Sequence, residues 1–313
     1  MKKNHALVVF LILAAIIAAY MITDFVNSPE RIEKKKVLTR DIPGLPADMW
    51  HVHTMHQTEV QGLKSITYCR HGNIAAGGDG FIILYDKDFR TLWQRKTDET
   101  VTALGAWDKI IFAALRERID LYDLSGNQVG SWGPFMPDGY ITSVVPNKNY
   151  IVFADAANKA VFVLNNDGDV KSIIGKEEER FIVPSLFFDV SIDNEDNIYI
   201  ANTGMKRIEK HRVNGETVSR IGEAGNDPAG FTGCCNPSHF TLYRNGYITA
   251  EKGINRIKIL DSEGKLVEFV SGINSFERGV PLDIAAGAGD DNLIYAAYPA
   301  DSKIYVFKRN VDN

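Results

Sequence analysis

Short runs of alternating apolar and polar residues recur along most of the chain, and each run ends at a turn that contains Asp or Asn with Gly. Each copy predicts a β-hairpin, because residues that favour strands and alternate with a period of two flank a glycine-containing turn. A further apolar run precedes each hairpin, and an inner run such as ITSVV from Ile141 comes before that one. The clearest hairpins are IDLYDLSGNQVGSWG from Ile119, VFVLNNDGDVKSIIG from Val161, IEKHRVNGETVSRIG from Ile208 and IKILDSEGKLVEFVSG from Ile257.

These runs combine into a repeat of four strands, and its equivalent positions recur about every 40 to 50 residues. Six such units predict an all-β, six-bladed β-propeller. The last unit lacks an outer strand after Phe307. We expect WHVHTMHQTEV, from Trp50, to supply that strand and close the ring, since closure removes an exposed sheet edge. The equivalent positions are Tyr122, Leu164, His211, Leu260 and Phe307.

The stretch PSLFFDVSIDNEDNIYIANTGMKRIEKHRVNGE, from Pro184, resembles an NHL repeat. The matching residues are Asn197 to Asn202 with Arg207 and Ile208, and in the next unit Pro237, Tyr247 to Glu251 and Asn255 to Ile257. The resemblance covers two units well and the whole domain loosely. It implies a six-bladed NHL-like propeller, a fold shared by binding modules and by enzymes such as lyases and lactonases.

The N-terminus differs from the repeats. An apolar run from Ala6 to Ile22 follows Lys2 and Lys3, and its length is close to the minimum that spans a bilayer. The preceding lysines predict a cytoplasmic N-terminus and an extracytoplasmic (periplasmic or extracellular) propeller. A cleaved signal peptide is the competing interpretation. The predicted organisation is therefore an anchor or signal segment over residues 1–26, a linker over 27–46 and the propeller over 47–313.

Composition adds two limits. The 313 residues carry a net charge of -5, and no basic patch indicates nucleic acid as a partner. The glycines do not form a phosphate-binding loop, and the hydrolase pattern GxSxG is missing from the sequence.

Alignment of the units places a set of polar residues at one equivalent position of the inner strands. Three of them, Asp189, His239 and Asp283, belong to neighbouring blades and predict a carboxylate–imidazole–carboxylate group at the mouth of the central channel. One interpretation is a divalent metal site or a substrate-polarising site. The other is that these side chains cap backbone groups of the inner strands. The full set is Thr102, Thr142, Asp189, His239 and Asp283, with Ser65 or Thr67 as the sixth.

The most unusual stretch is FTGCCNPSHF, from Phe231 to Phe240. It places Cys234, Cys235 and Asn236 on a loop directly before the strand that carries His239. Three interpretations of the cysteines stay open: a vicinal disulfide, contact with a metal or cofactor, or two buried free thiols. Neither CxxC nor CxxCH occurs in the sequence, which argues against thioredoxin-like chemistry and covalent haem attachment.

Loops that enter the third strands are expected to present a mixed-charge surface on the same face. Four residues of these loops are candidates for binding a ligand or partner, together with Cys234, Cys235, Asn236 and His239. They are Asn202, Glu251, Lys252 and Asn255. Lys206, Arg116 and Arg118 belong to the same expected surface, whereas His51, His53 and His56 lie in the closing strand.

The sequence favours a membrane-tethered binding module that holds a protein partner or a small ligand at the channel mouth, centred on the loop of Cys234 to Pro237. The alternatives are a metal-dependent enzyme of the lyase or hydrolase type, using Asp189, His239 and Asp283, and an accessory protein of a redox complex. The sequence identifies no cofactor, and a divalent metal at the channel mouth is the candidate.

Overall fold

The chain divides into two units, Met1–Leu45 and Pro46–Asn313. In the first unit residues 11–19 are helical. No helix among the described residues has both the length and the apolar character needed to cross a bilayer. Most of the predicted anchor, residues 1–26, and the whole predicted linker, residues 27–46, lie outside the described residues. A computed structural model describes residues 11–19, 23, 49–175, 180–272, 275–287 and 292–310.

The second unit is all-β. Its described residues form six antiparallel four-stranded sheets, which confirms the predicted six-bladed propeller. We number the blades in chain order, and strands run from the inner to the outer position. Blade 1 comprises β2 (Leu63–Tyr68), β3 (Ile74–Gly78), β4 (Phe81–Tyr85) and β5 (Thr91–Lys96); blade 2, β6 (Ala103–Trp107), β7 (Ile110–Ala114), β8 (Ile119–Asp123) and β9 (Gln128–Trp132); blade 3, β10 (Ile141–Pro146), β11 (Ile151–Asp155), β12 (Ala160–Leu164) and β13 (Val170–Ile174).

Blades 4 to 6 follow the same order, except that the outer strand of blade 6 comes from the start of the propeller. Blade 4 comprises β14 (Val190–Ile192), β15 (Ile198–Asn202), β16 (Arg207–His211) and β17 (Thr217–Ile221); blade 5, β18 (His239–Tyr243), β19 (Gly246–Glu251), β20 (Arg256–Leu260) and β21 (Leu266–Ser271); blade 6, β22 (Asp283–Ala286), β23 (Leu293–Tyr298), β24 (Lys303–Arg309) and β1 (Trp50–Gln57). Two short 3₁₀ turns, Arg70–Gly72 and Thr203–Met205, complete the assigned elements.

Strand β1 closes the ring as the sequence predicted. It pairs antiparallel with β24, from Trp50 opposite Arg309 to Gln57 opposite Lys303. The register shifts between Val52 and Thr54. At the buried end of β1 the Trp50 indole N–H donates to a Glu268 carboxylate oxygen of blade 5 at 2.7 Å. The closing strand is therefore bonded to its own blade and to the preceding one.

The apolar core lies between blades. Central strands such as β4, β12 and β15 are buried along their whole length, whereas outer strands such as β5 are mostly exposed. Buried side chains gather into clusters that each join two neighbouring blades, and the last cluster joins blade 6 to blade 1. A sheet buried on both faces reads as near-continuous apolar sequence, and this explains the short runs of β-branched residues.

The six inner strands contact one another in chain order around a ring, with β22 returning to β2. They enclose a central cavity of about 140 Å³. Ser65, Thr142, Asp189, His239 and Asp283 are among its lining residues. The alignment of the repeats thus places these five polar residues around one channel.

Candidate functional site

The three inner-strand residues singled out from the sequence lie together in the channel. His239, in β18, has its Nδ1 atom 3.5 Å from Asp283 Oδ1 of blade 6 and 3.7 Å from Asp189 Oδ2 of blade 4. All three side chains are largely buried. An imidazole of one blade therefore sits between carboxylates of the two blades that flank it.

Both aspartates also bind the backbone of the following blade. Asp189 Oδ2 accepts from the Phe240 N–H at 2.7 Å, and Asp283 Oδ2 accepts from the Ile66 N–H at 2.9 Å and the Ser65 hydroxyl at 2.7 Å. These contacts agree with the interpretation that the inner-strand polar residues cap backbone groups. They make Ser65 the member of the set in blade 1.

Burial and charge act in opposite directions on His239. Burial lowers its pKa, but the nearby Asp189 carboxylate and the negative charge of Asp283 outweigh burial, so the pKa lies above the ordinary value. Burial also raises the pKa of Asp283, and the nearby His239 opposes that increase. The channel thus favours a protonated imidazole that is shared between two carboxyl groups.

A protonated imidazole is not a metal ligand, and the carboxylate oxygens already accept backbone hydrogen bonds. Among the residues that the structure describes, no group of three or more His, Cys, Asp or Glu side chains has a metal-binding arrangement. Metal ligation by Asp189, His239 and Asp283 stays a prediction, and it requires loss of the His239 proton.

The cysteine loop spans residues 222–238 between β17 and β18, and Asn236 fixes its second half. The buried Asn236 amide donates to the carbonyl oxygens of Thr232 at 2.6 Å and Lys252 at 2.9 Å. Its Oδ1 accepts from the Lys252 N–H at 2.9 Å. Gly233 adopts a φ of 78°, a left-handed conformation that glycine adopts without steric cost. The buried Asn236 side chain therefore stabilises the loop from its interior.

A buried ionic cluster fixes the first half of the loop. Lys258 Nζ lies 3.0 Å from Glu251 Oε1 and donates to the carbonyl oxygens of Ala229 at 2.7 Å and Gly230 at 2.9 Å. Arg256 pairs with the same carboxylate at 2.7 Å and also donates to Gly230. Burial lowers the pKa of Lys258 to about 8, although Glu251 opposes the shift. The cluster therefore stabilises an irregular loop through its backbone carbonyls.

Arg256 lies in the NHL-like match, but the sequence identified neither Arg256 nor Lys258 as a site residue. They alternate with isoleucines in β20, a pattern typical of a half-exposed strand, yet the whole strand is buried. Glu251 lies opposite Arg256 across the hairpin of β19 and β20. A buried carboxylate requires a cation nearby, but Glu251 was expected to be exposed, so this pairing was not predicted.

Neighbouring rim loops contact the cysteine loop and the turn between β19 and β20, which Asn236 joins to the cysteine loop through Lys252. Ser185 of the loop before β14 donates through Oγ to Cys235 Sγ at 3.0 Å, and Lys252 Nζ lies 4.0 Å from the centre of the Phe187 ring. On the other side the Asn255 amide donates to the Glu277 and Val280 carbonyl oxygens at 2.7 Å. The rim of blades 4, 5 and 6 is one connected polar network.

The expected mixed-charge surface is wrong for three of its members. Asn202, Glu251 and Asn255 are buried. The Asn202 amide bonds Glu209 Oε1 at 3.0 Å and the Ile182 N–H at 3.1 Å. These side chains hold rim loops in place instead of facing solvent. Cys234 is exposed, and Lys252 is half-buried.

Exposed apolar side chains border the network. Ile182 and Leu186 are each 50% exposed, and Met205 is 41% exposed. Ile182 accepts a backbone hydrogen bond from Gly204, which precedes Met205, and Leu186 follows Ser185, the partner of Cys235. We call Ile182, Leu186 and Met205 the apolar rim patch. It lies next to the cysteine loop.

The cysteines have opposite environments. Cys234 is exposed, Cys235 is 2% exposed, and both are free thiols whose Sγ atoms lie 3.1 Å apart. Cys69 is buried in the core between blades 1 and 2, where burial raises its pKa to about 12. Within the described propeller, solvent therefore reaches a thiol only at the vicinal pair, through Cys234.

Comparison with known proteins supports the fold. Neither a protein-family model nor a curated protein matches the chain. A solved structure described as a streptogramin B lyase is similar to it, with 12% sequence identity and a TM-score of 0.57. The similarity covers 83% of this chain and 98% of that chain. At this identity the likeness establishes a shared six-bladed propeller and leaves activity to be tested.

Proposed function

We propose that this protein is a membrane-tethered, extracytoplasmic propeller that binds a protein partner or a small ligand on the rim of blades 4, 5 and 6. One observation carries the proposal. The cysteine loop is irregular and exposes a thiol, and the buried side chains of Asn236, Arg256 and Lys258 stabilise it through hydrogen bonds to backbone carbonyl oxygens. Such a loop needs no ordering when it binds, and a preorganised surface loses less entropy on association.

The apolar rim patch supports the same face. Exposed apolar side chains that border polar groups are typical of interaction surfaces. Lys252 adds a cation beside the patch, through its contact with Phe187. A partner with apolar side chains and an acidic group would complement this combination.

Site-specific photo-crosslinking in cells that make the protein tests the binding face. A photoreactive residue at Leu186 should give a discrete crosslinked product. The same residue at Val129, which is 54% exposed on the outer strand of blade 2, is the matched control. Equal crosslinking at both positions, or none at Leu186, would contradict the proposed face.

Membrane tethering rests on the apolar run from Ala6 to Ile22 behind two lysines. Alkaline extraction of membranes should leave the protein in the membrane fraction with Met1 or Lys2 at its N-terminus. An N-terminus between residues 21 and 28 would instead identify a cleaved signal peptide.

The enzyme alternative rests on His239 between two carboxylates and on the fold shared with a lyase. Metal analysis of the propeller purified as residues 47–313 separates the two functions. Stoichiometric metal that is lost in His239→Ala would favour the enzyme.

A further inference from the structure

The dithiol of the cysteine loop has the geometry of a redox pair. The Sγ atoms lie 3.1 Å apart, about 1 Å more than the length of a disulfide bond. Cys234 is exposed on the rim, whereas Cys235 lies beneath it. A sulfur atom of another molecule can therefore reach Cys234 Sγ from solvent, while Cys235 Sγ contacts Cys234 Sγ from the protein interior.

The surroundings of Cys235 suit a second, resolving thiol. Burial raises its pKa, and Ser185 and Lys252 oppose this effect through a hydrogen bond at 3.0 Å and a nearby positive charge. Neighbouring Cys234 adds to the increase. The Cys235 thiol donates to Cys234 Sγ at 3.1 Å, and the Ser185 hydroxyl and Lys252 stabilise the Cys235 thiolate when it forms.

We propose that Cys234 and Cys235 exchange with a disulfide of the molecule bound at the rim, such as a disulfide-bearing peptide or protein. The Cys234 thiolate attacks one sulfur of that disulfide, forms a mixed disulfide and expels the other sulfur as a thiolate, which takes up a proton. The Cys235 thiolate then attacks Cys234 Sγ. This step forms the Cys234–Cys235 bond and releases the second sulfur of the partner as a thiol.

The two sulfurs of the partner are reduced, Cys234 and Cys235 are oxidised, and the two thiol protons end on the released thiols. A disulfide between adjacent residues closes a strained ring, and strain makes a disulfide easier to reduce. The oxidised pair therefore passes its disulfide readily to a dithiol, so exchange is reversible. The inference rests on the proposed function, because it places the disulfide on the same rim.

The test uses the aromatic disulfide dithiobis(nitrobenzoate) on the native, reduced protein. Wild type should release two equivalents of nitrothiobenzoate and keep no aryl adduct, because Cys235 displaces the aryl group that Cys234 captures. Intact mass should fall by two hydrogens. Cys235→Ser should release one equivalent and retain one adduct. Cys234→Ser should react at least tenfold more slowly, since its remaining rim thiol is buried. Cys69 should react only after denaturation in every variant.

Two further variants separate the attack of Cys235 on the mixed disulfide from the solvent accessibility of Cys234. Ser185→Ala should slow the loss of the adduct several-fold and leave its formation unchanged, whereas Ser125→Ala, in an exposed turn of blade 2, should change neither. If Cys235→Ser fails to fold, Cys235→Ala gives the same readout. An adduct that persists on wild type, or equal reaction rates in both single variants, would overturn the exchange.

Failure of exchange and failure of binding give different results. If the aryl adduct persists while Leu186 still crosslinks, the redox chemistry is refuted and the binding face is supported. If crosslinking is lost while exchange is normal, the proposed binding face is refuted, and the dithiol is shown to react with small disulfides.

Discussion

Asp189 Oδ2 accepts the backbone N–H of Phe240 at 2.7 Å, so a side chain of blade 4 holds the inner strand of blade 5. Asp283 makes the equivalent contact with Ile66 across the closure of the ring. Thr142 links blades 3 and 4 in the same way, by donating to the Phe188 carbonyl oxygen at 2.6 Å. Inner-strand polar residues therefore bond blade to blade around the channel.

The first prediction concerns this bond. Asp189→Ala should lower the free energy of unfolding by about 1–3 kcal/mol, because the buried Phe240 N–H loses its acceptor. Urea denaturation of the propeller measures the change. Asp167→Ala, in an exposed turn of blade 3, should stay within about 0.5 kcal/mol of wild type. Indistinguishable midpoints for the two variants would show that the inter-blade bond contributes nothing.

Much of the fold was predictable because its signals are local. Alternation and glycine turns specify each hairpin, and repetition of the unit specifies six blades. The missing strand after Phe307 even indicated Trp50 and its neighbours as the closing strand. Equivalent positions in a repeat occupy equivalent places in the ring, so Asp189, His239 and Asp283 could be brought together without any structure.

The rim was not predictable to the same degree, because its contacts join loops that are distant in sequence. Asn255 bonds the carbonyls of Glu277 and Val280, and Ser185 bonds Cys235. No local pattern shows which loops meet. Polar residues on such loops therefore looked exposed, although Asn255 is buried.

The second prediction is a pH dependence of stability. The folded-state pKa of His239 lies above its ordinary value of 6.5, so its stabilising contribution is complete below about pH 6.5 and is lost as the pH rises through the folded-state pKa. The melting temperature of wild type should therefore exceed that of His239→Gln most clearly near pH 6, and the difference should shrink at higher pH. Scanning calorimetry across this range measures it.

The control for this pH profile is His53→Gln, on the exposed outer strand. It should follow the wild-type profile at every pH. The raised pKa of Asp283 also makes stability fall with rising pH, but from its ordinary value of 3.8 upward. A wild-type advantage that grows above neutral pH would contradict the protonated imidazole.

Ring closure gives the third prediction. A propeller that begins at residue 58 lacks β1 and exposes the edge of β24, so it should melt well below one that begins at residue 47. Trp50→Phe isolates one contact of that strand. It removes the indole N–H from Glu268 and should cost about 1–3 kcal/mol. Trp107→Phe, at a 39% exposed position of blade 2, is the matched control. Equal melting of the two propellers would mean that β1 does not close the ring.

The fourth prediction concerns Asn236, which joins the cysteine loop to Lys252 through both ends of its amide. Asn236→Ala removes one hydrogen bond within the cysteine loop and two that join this loop to Lys252. All three are local to the rim, so the loss should appear as local opening more than as global unfolding. In a Cys234→Ser background the one rim thiol is Cys235. Its alkylation by iodoacetamide should rise about tenfold for each 1.4 kcal/mol by which opening becomes easier. Asn166→Ala, in an exposed turn of blade 3, should leave the alkylation rate unchanged. If Cys235 stays equally protected in both variants while their urea midpoints match, the buried amide does not hold the loop, and the ionic cluster of Glu251, Arg256 and Lys258 is sufficient to do so.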